Sequence, residues 1–407
     1  MDVNQSQASS NLNSAYAARG TQPYRQITSA MFIAGLCTFA QLYYLQPLLP
    51  VLSDYFKITP AHSSLVISAA TLSLAAGLLL GTFTADRFRR KALMGTALSV
   101  SSLLTLACTV VPNMTLLIVL SACKGFVLSG VAAIAMAYIG EEVEPTDLSR
   151  TMGLYITGTI IGGMAGRVAA NLLAGWLSWR MVTLVIGLGC LLLSLIFWRR
   201  LPASKHFRPR NLTAKELVTG ILNYARDPVL IALCLFAAFA MGSFVSVYNY
   251  LGFRLQAPPF QLPHQLIAGI FMMYAAGVGG SYTAGAIANK LGSYRALAVF
   301  AFFNLCGLLL TWPDNTLLVI AGLALLTYSF FGAHTIASSM ASTRTPENRA
   351  VASSLYLLFY YVGSSVLGTY SGVIMHQHEW NGIIVLLGCT LGAAFLLALW
   401  LQSRKVI

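Results

Sequence analysis

Few residues in this sequence are placed to do chemistry, and the foremost of them is an arginine. Arg167 ends the stretch Gly158-Thr-Ile-Ile-Gly162-Gly163-Met-Ala-Gly166-Arg167, a cation within an apolar, glycine-laddered helix. Placing arginine near the middle of a bilayer-spanning helix costs roughly 2.5 to 3.5 kcal/mol, so such a residue faces a water-filled cavity or a partner. None of the 12 acidic residues lies well inside an apolar stretch, so no carboxylate is at hand to neutralise it. Arginine does not titrate at accessible pH. Its remaining chemistry is recognition of an anion, or biasing of a nearby proton carrier. Groups that could titrate near apolar surroundings are Asp54 at the outer end of the first apolar stretch, His334 in the tenth, and a desolvated Lys124 in the fourth.

Amides and aromatic rings supply the other candidates. Gln41, Tyr44 and Gln46 precede Pro47 in the first stretch, and Tyr248 and Asn249 lie in the seventh. Tyr356, Tyr360 and Ser364 share one face of the eleventh at four-residue spacing. Together these groups suit an amphipathic organic molecule, and the cation favours one with an anionic group. No phosphate-cradling glycine loop, no cluster of metal ligands and no nucleophile–base pair appears. Neither ATP-driven pumping, a metal, a cofactor nor enzymatic catalysis is expected.

The elements that position these residues follow from composition. Of 407 residues 57% are hydrophobic and only 9% charged, with a mean hydropathy of +0.72, which marks an integral membrane protein. At about 20 residues per span the chain holds twelve apolar segments, so the expectation is an all-α fold with twelve transmembrane helices. All seven cysteines fall in those segments and read as packing residues. The long polar interruption at 199–227 divides an amino-terminal bundle at 27–198 from a carboxy-terminal one at 228–402, with tails at 1–26 and 403–407. The tail before residue 27 is polar and is expected to be disordered. Of the 25 Lys and Arg residues outside or inside the spans, only Lys57, Arg180 and Arg254 fall on the face opposite the termini. By the positive-inside rule both termini are cytoplasmic, and the formal charge of +13 is topogenic and not a nucleic-acid footprint.

The halves also echo each other. Pro145, Leu154, Tyr155 and Gly162 recur at one constant interval as Pro346, Leu355, Tyr356 and Gly363, and Asp86-Arg87 recurs at nearly the same interval as Asn289-Lys290. Two parallel six-helix repeats about an axis along the membrane normal follow, with a cavity between them.

On these motifs the chain resembles the major facilitator superfamily of secondary transporters over nearly its whole length. The family loop motif G-x-L-A-D-R-x-G-R-R/K is matched by Gly285-Ala-Ile-Ala-Asn289-Lys290-Leu-Gly292 and, without its glycines, by Thr82-Phe-Thr-Ala-Asp86-Arg87-Phe-Arg89-Arg90-Lys91. The resemblance implies that Asp86, Arg87 and Arg90 form a gating latch, with Glu141 and Glu142 as partners. Gly158, Gly162 and Gly166 follow the antiporter motif G-x-x-x-G-P-x-x-G-G, with Gly163 at its proline and Arg167 at its last glycine. Their spacing strips one helix face for close packing. Where the family reads R-x-x-Q-G, this chain reads Ser121-Ala-Cys-Lys124-Gly125, so Lys124 and Arg167 are taken together as a relocated cationic pair in the cavity. The stretches Ala135-Met-Ala-Tyr-Ile-Gly-Glu-Glu142, Met152-Gly-Leu-Tyr155, Ile161-Gly-Gly-Met-Ala-Gly-Arg167 and Ala352-Ser-Ser-Leu-Tyr356 are most similar to the acriflavin-sensitivity branch of bacterial inner-membrane efflux transporters.

What the resemblance implies is proton-coupled export of a small organic compound by rocker-switch alternating access, from a monomer in the bacterial inner membrane. The alternatives are a proton-coupled importer of an organic anion, and a receptor of the same fold that moves nothing.

Overall fold

The computed structural model describes residues 16–84, 89–206, 226–344 and 349–404. Because no water reaches the bilayer core, every backbone N–H and C=O there must be satisfied within the chain, and helices do this within one segment. Among the described residues eleven helices are long and apolar enough to span. In order these are Gln22–Phe56, Pro60–Thr84, Arg90–Ala107, Met114–Glu142, Leu148–Ala174, Trp179–Arg200, Pro228–Gln256, His264–Leu291, Ser293–Leu310, Thr316–Thr343 and Arg349–Ser403. The last has 55 residues. As one rod it would run about 80 Å, against a hydrocarbon core of about 30 Å. Glu379, at φ 52° and ψ −149°, breaks it into two crossings, which completes the twelve spans read from the sequence.

Local chemistry sets the ends. Side chains of Thr21, Asn113, Ser178, Asp227 and Asn315 accept from first-turn N–H groups of their helices. Pro228 follows its cap directly, where a missing N–H costs nothing. Pro47 and Pro50 interrupt span one, and the chain passes through a 3-10 turn at Gln46–Leu48 before resuming at Leu49–Phe56. Span one begins at Gln22, earlier than the predicted residue 27, and Ala17 already pairs with the end of span four through Ala17 N–H to Glu142 O and Glu144 N–H to Ala17 O. Span six ends at Arg200 and span seven begins at Pro228.

Close packing within each half follows the glycines. A Cβ on Gly158, Gly162 or Gly166 would run into the backbone of Phe32, Leu36 or Ala40, so span five lies directly on span one. Gly363 of span eleven meets the backbone of Ala238 of span seven in the same way. These two contacts are equivalents in the repeat. Among the hydrogen bonds of the described residues that join the halves are Ser68 Oγ with Thr369 Oγ1 at 2.8 Å, Ser365 Oγ to Ser68 O at 3.0 Å, and His264 Nδ1 with Asn171 Oδ1 at 3.0 Å, toward the end away from the termini.

Replacing Gly162 with valine should destabilise the protein by at least about 2 kcal/mol, because the added carbons meet backbone and cannot be absorbed by a rotamer. Gly153→Ala, in the same helix with open space around its Cα, should leave the unfolding midpoint in detergent unchanged or slightly raised. Equal midpoints for the two variants would refute the contact.

Candidate functional site

Arg167 is only 1% exposed and sits where the halves meet. Its Nε donates to Gln46 Oε1 at 2.5 Å and its Nη1 to Gly163 O, one turn back, at 2.6 Å. The guanidinium lies between two rings, 4.2 Å from the centroid of Tyr43 and 4.4 Å from that of Tyr274. Tyr43 belongs to the first half and Tyr274 to the second. Gln46 carries the link further: its Nε2 donates to Asn249 Oδ1 at 2.6 Å, across to span seven. Among the described residues no carboxylate pairs with Arg167. Ring quadrupoles and amide dipoles hold the charge instead, a desolvated cation–π contact being worth about 2 kcal/mol. A guanidinium has five N–H groups, more than these two acceptors use, so it retains capacity for an anion.

The second half frames the site with aromatic side chains. Tyr248 donates or accepts with Thr327 Oγ1 at 2.8 Å and braces Tyr274, ring centroids 5.1 Å apart. His334 Nδ1 bonds Tyr356 OH at 3.0 Å, and its ring lies 4.7 Å from Tyr360. Tyr361, next to Tyr360, is buried in the same apolar cluster as Tyr43. Asn249 Nδ2 and Ser364 Oγ are buried with no hydrogen-bond partner among the described residues.

Other predicted residues lie elsewhere. Gln41 is spent inside the first half, where its Nε2 donates to Ser102 Oγ at 3.3 Å and its Oε1 accepts from Thr105 Oγ1 at 3.1 Å. Lys124 is 1% exposed and lies 4.7 Å from the ring centroid of Tyr44, with no ion pair among the described residues. Tyr43 stacks on Arg167 and its neighbour Tyr44 on Lys124. Adjacent helical residues diverge by about 100°, so the two cations meet rings on different faces of span one. Asp54 is exposed at the far end of span one.

The latch residues Asp86 and Arg87 lie outside the described residues. Arg90 engages Glu141 through Nε at 3.2 Å and Nη2 at 2.8 Å. Glu142 is instead taken by the start of the linker, accepting from Ser204 Oγ, Lys205 N and His206 N at 2.6, 2.7 and 2.9 Å. Asn289 and Lys290 are exposed in the last turn of span eight. The linker's other end is fixed by Arg344 Nε to Asp227 Oδ2 at 2.8 Å. Burial by itself raises the Asp227 carboxyl, but Arg344 and the N–H groups of Val229 and Leu230 outweigh it and hold it below its ordinary value.

Sequence reasoning missed Tyr43, Tyr274, Asn171 and His264. Tyr43 could have been found: a buried guanidinium without a carboxylate calls for ring faces, and Tyr43 stands beside the chosen Tyr44.

Among the described residues, eleven membrane-length helices, the last broken into two crossings at Glu379, surround a buried polar interface and define a polytopic transport protein. A model of the Major Facilitator Superfamily matches residues 31–368, and the chain belongs to that family, whose members are transporters and not enzymes. It is 39% identical over 389 residues to the inner membrane transport protein YnfM of Escherichia coli (strain K12), covering 96% of this chain and 93% of that one. It is 38% identical over 388 residues to the MFS-type transporter YybF of Bacillus subtilis (strain 168), covering 95% of each. Among solved structures it is similar to an inward-facing, unoccupied bacterial homologue of the human lysosomal transporter Spinster, at TM-score 0.76 and 15% identity over 94% of this chain and 99% of that one. The protein is thus a multi-pass membrane transporter of a bacterial family, which binds a small-molecule substrate and sits in a lipid bilayer.

If the rings hold the guanidinium, a double-mutant cycle of Arg167→Leu with Tyr274→Leu, read by unfolding in detergent, should return a coupling of about 1 to 2 kcal/mol. Additive effects would place Arg167 elsewhere.

Proposed function

We propose that this transporter exports a small organic compound bearing an anionic group, in exchange for protons, by alternating access in the bacterial inner membrane. Both termini are cytoplasmic and the working unit is a monomer. One observation carries the substrate class: Arg167 is buried at the junction of the halves with rings and amides but no carboxylate around it. An anion is the natural complement of that charge. The membrane potential supplies about 2.3 kcal/mol per charge per 100 mV, enough to drive export against a gradient.

The compound enters between Arg167, Asn249, Tyr360 and Ser364. The proton is carried by His334, whose imidazole is tied to Tyr356 on the wall of that site. Direction rests on the resemblance to the acriflavin-sensitivity efflux branch. The Arg90–Glu141 pair, with Asn289 and Lys290 in the other half, acts in gating at the cytoplasmic end.

Substrate-dependent proton movement in liposomes tests this reading. Arg167→Ala should lower it at least tenfold at equal protein in the membrane, Arg167→Lys should keep part of it, and His334→Ala should uncouple substrate flux from protons. Normal transport by Arg167→Ala would remove the proposed site. Loading of right-side-out vesicles only when the outside is acid would reverse the direction, making the protein an importer of an organic anion. Ligand binding with no flux at all would make it a receptor.

A further inference from the structure

Among the described residues, the side-chain hydrogen bonds that cross between the halves run from Ser68 and Thr71 of span two to Ser365 and Thr369 of span eleven, from Gln46 to Asn249 and the backbone of Val245, and from Asn171 of span five to His264 of span eight. Hydroxyls and amides keep one charge state across accessible pH. Histidine, with an ordinary pKa of about 6.5, does not, so of these contacts only the one made by His264 can respond to pH.

The contact is closely built. His264 opens span eight after Pro263, and its Nδ1 stands 3.0 Å from Asn171 Oδ1. The next residue, Gln265, lays its amide on Gly175, where a Cβ would collide with Nε2, so the end of span five meets two consecutive residues of span eight. Asn171 is fully buried in the last turn of span five, one turn from Arg167 on the same face. Its Nδ2 has no partner among the described residues, which leaves His264 as the group that satisfies this amide.

His264 is half-buried and open to protons from the face away from the termini. The elements packed on the start of span eight are chiefly span five and the 3-10 stretch Met272–Ala275. Their nearest titratable groups are Arg167, a turn deeper than Asn171, and Tyr274, which lies over Arg167. No charged side chain among the described residues lies close enough to act on the ring. A neutral imidazole satisfies the contact with one nitrogen. An imidazolium brings a full charge and a second N–H to a junction with no carboxylate to meet them, and separation of the halves gives both to water.

We propose that His264 is a pH-sensitive latch at the face away from the termini: its neutral ring bonds Asn171 and holds span eight to span five, and its protonation biases the junction toward opening there. On the orientation proposed above this is the outer face, and the proton comes from outside. The latch needs neither a substrate nor a coupling ion, so its failure would leave the proposed function standing.

The test is the distance across the junction, measured by double electron-electron resonance on the full-length protein in phosphatidylcholine nanodiscs. Spin labels sit at Tyr55→Cys of the first half and Leu317→Cys of the second, both exposed at this face, with Cys123, Cys306 and Cys389 replaced by serine. From pH 8 to pH 5 the ratio of open to closed distances should rise about fivefold, the worth of one hydrogen bond. In His264→Gln, whose amide can bond Asn171 but does not titrate, the ratio should stay at the wild-type value for pH 8. Unfolding midpoints serve as the folding control, with His264→Asn as the second amide if His264→Gln is destabilised. Distances in the wild type that do not move with pH overturn the proposal. So does an equal pH dependence in the amide variant, which would put the sensor in another group, and so does closure by acid, which would make the imidazolium a clamp on Asn171 Oδ1.

Discussion

The structure depends on how one buried guanidinium is stabilised without a counter-ion. Among the described residues no carboxylate pairs with Arg167, so its stabilisation comes from the faces of Tyr43 and Tyr274 and from the oxygens of Gln46 and Gly163. Three of those four partners lie outside its own helix, and one lies in the other half of the molecule. The junction of the halves is therefore not a generic apolar contact. It is organised around a charge, and the amide chain from Gln46 to Asn249 extends that organisation to span seven.

The two halves bring this about with equivalent packing. Span five lies on span one through Gly158, Gly162 and Gly166, and span eleven lies on span seven through Gly363. Bare backbone contact sets the distance between these helices, so Arg167, one residue past the last glycine, is delivered beside the junction while the glycine face stays against span one. A bulkier face would have pushed span five outward and left Gln46 out of reach. The chain between the halves is likewise held by its own bundle at each end, by Glu142 after span four and by Arg344 after span ten. Those two residues occupy nearly corresponding places in the repeat.

Much of the fold was legible in the sequence. Twelve apolar stretches, the polar break before Pro228 and the recurring Leu-Tyr and glycine positions all come from periodicity and composition, which are local. The site was legible only in part. Gln41 and Gln46 looked alike as amides before Pro47, but five residues of helical backbone set them roughly 140° apart, so Gln41 turns into the first bundle and Gln46 to the junction. Tyr274 lies in another 3-10 stretch, Met272–Ala275, where helical spacing gives no reliable face. Periodicity assigns a residue to a face but not to a neighbour, so it does not show that Lys124 meets Tyr44 while Arg167 meets the adjacent Tyr43.

The separation of the two cations sharpens their roles. The ring over Lys124 is Tyr44, of its own half, so any rotation of one half against the other carries Lys124 and that ring together. Arg167 differs, because Tyr274 and, through Gln46, Asn249 belong to the opposite half. Its stabilisation changes when the halves separate, and a ligand can shift a conformational equilibrium only by its differential affinity for the two states. An anion that replaces Tyr274 and Asn249 as the partner of Arg167 has that differential affinity. On the proposed cycle the charge that closes the empty protein is then the same charge that the substrate must satisfy to open it.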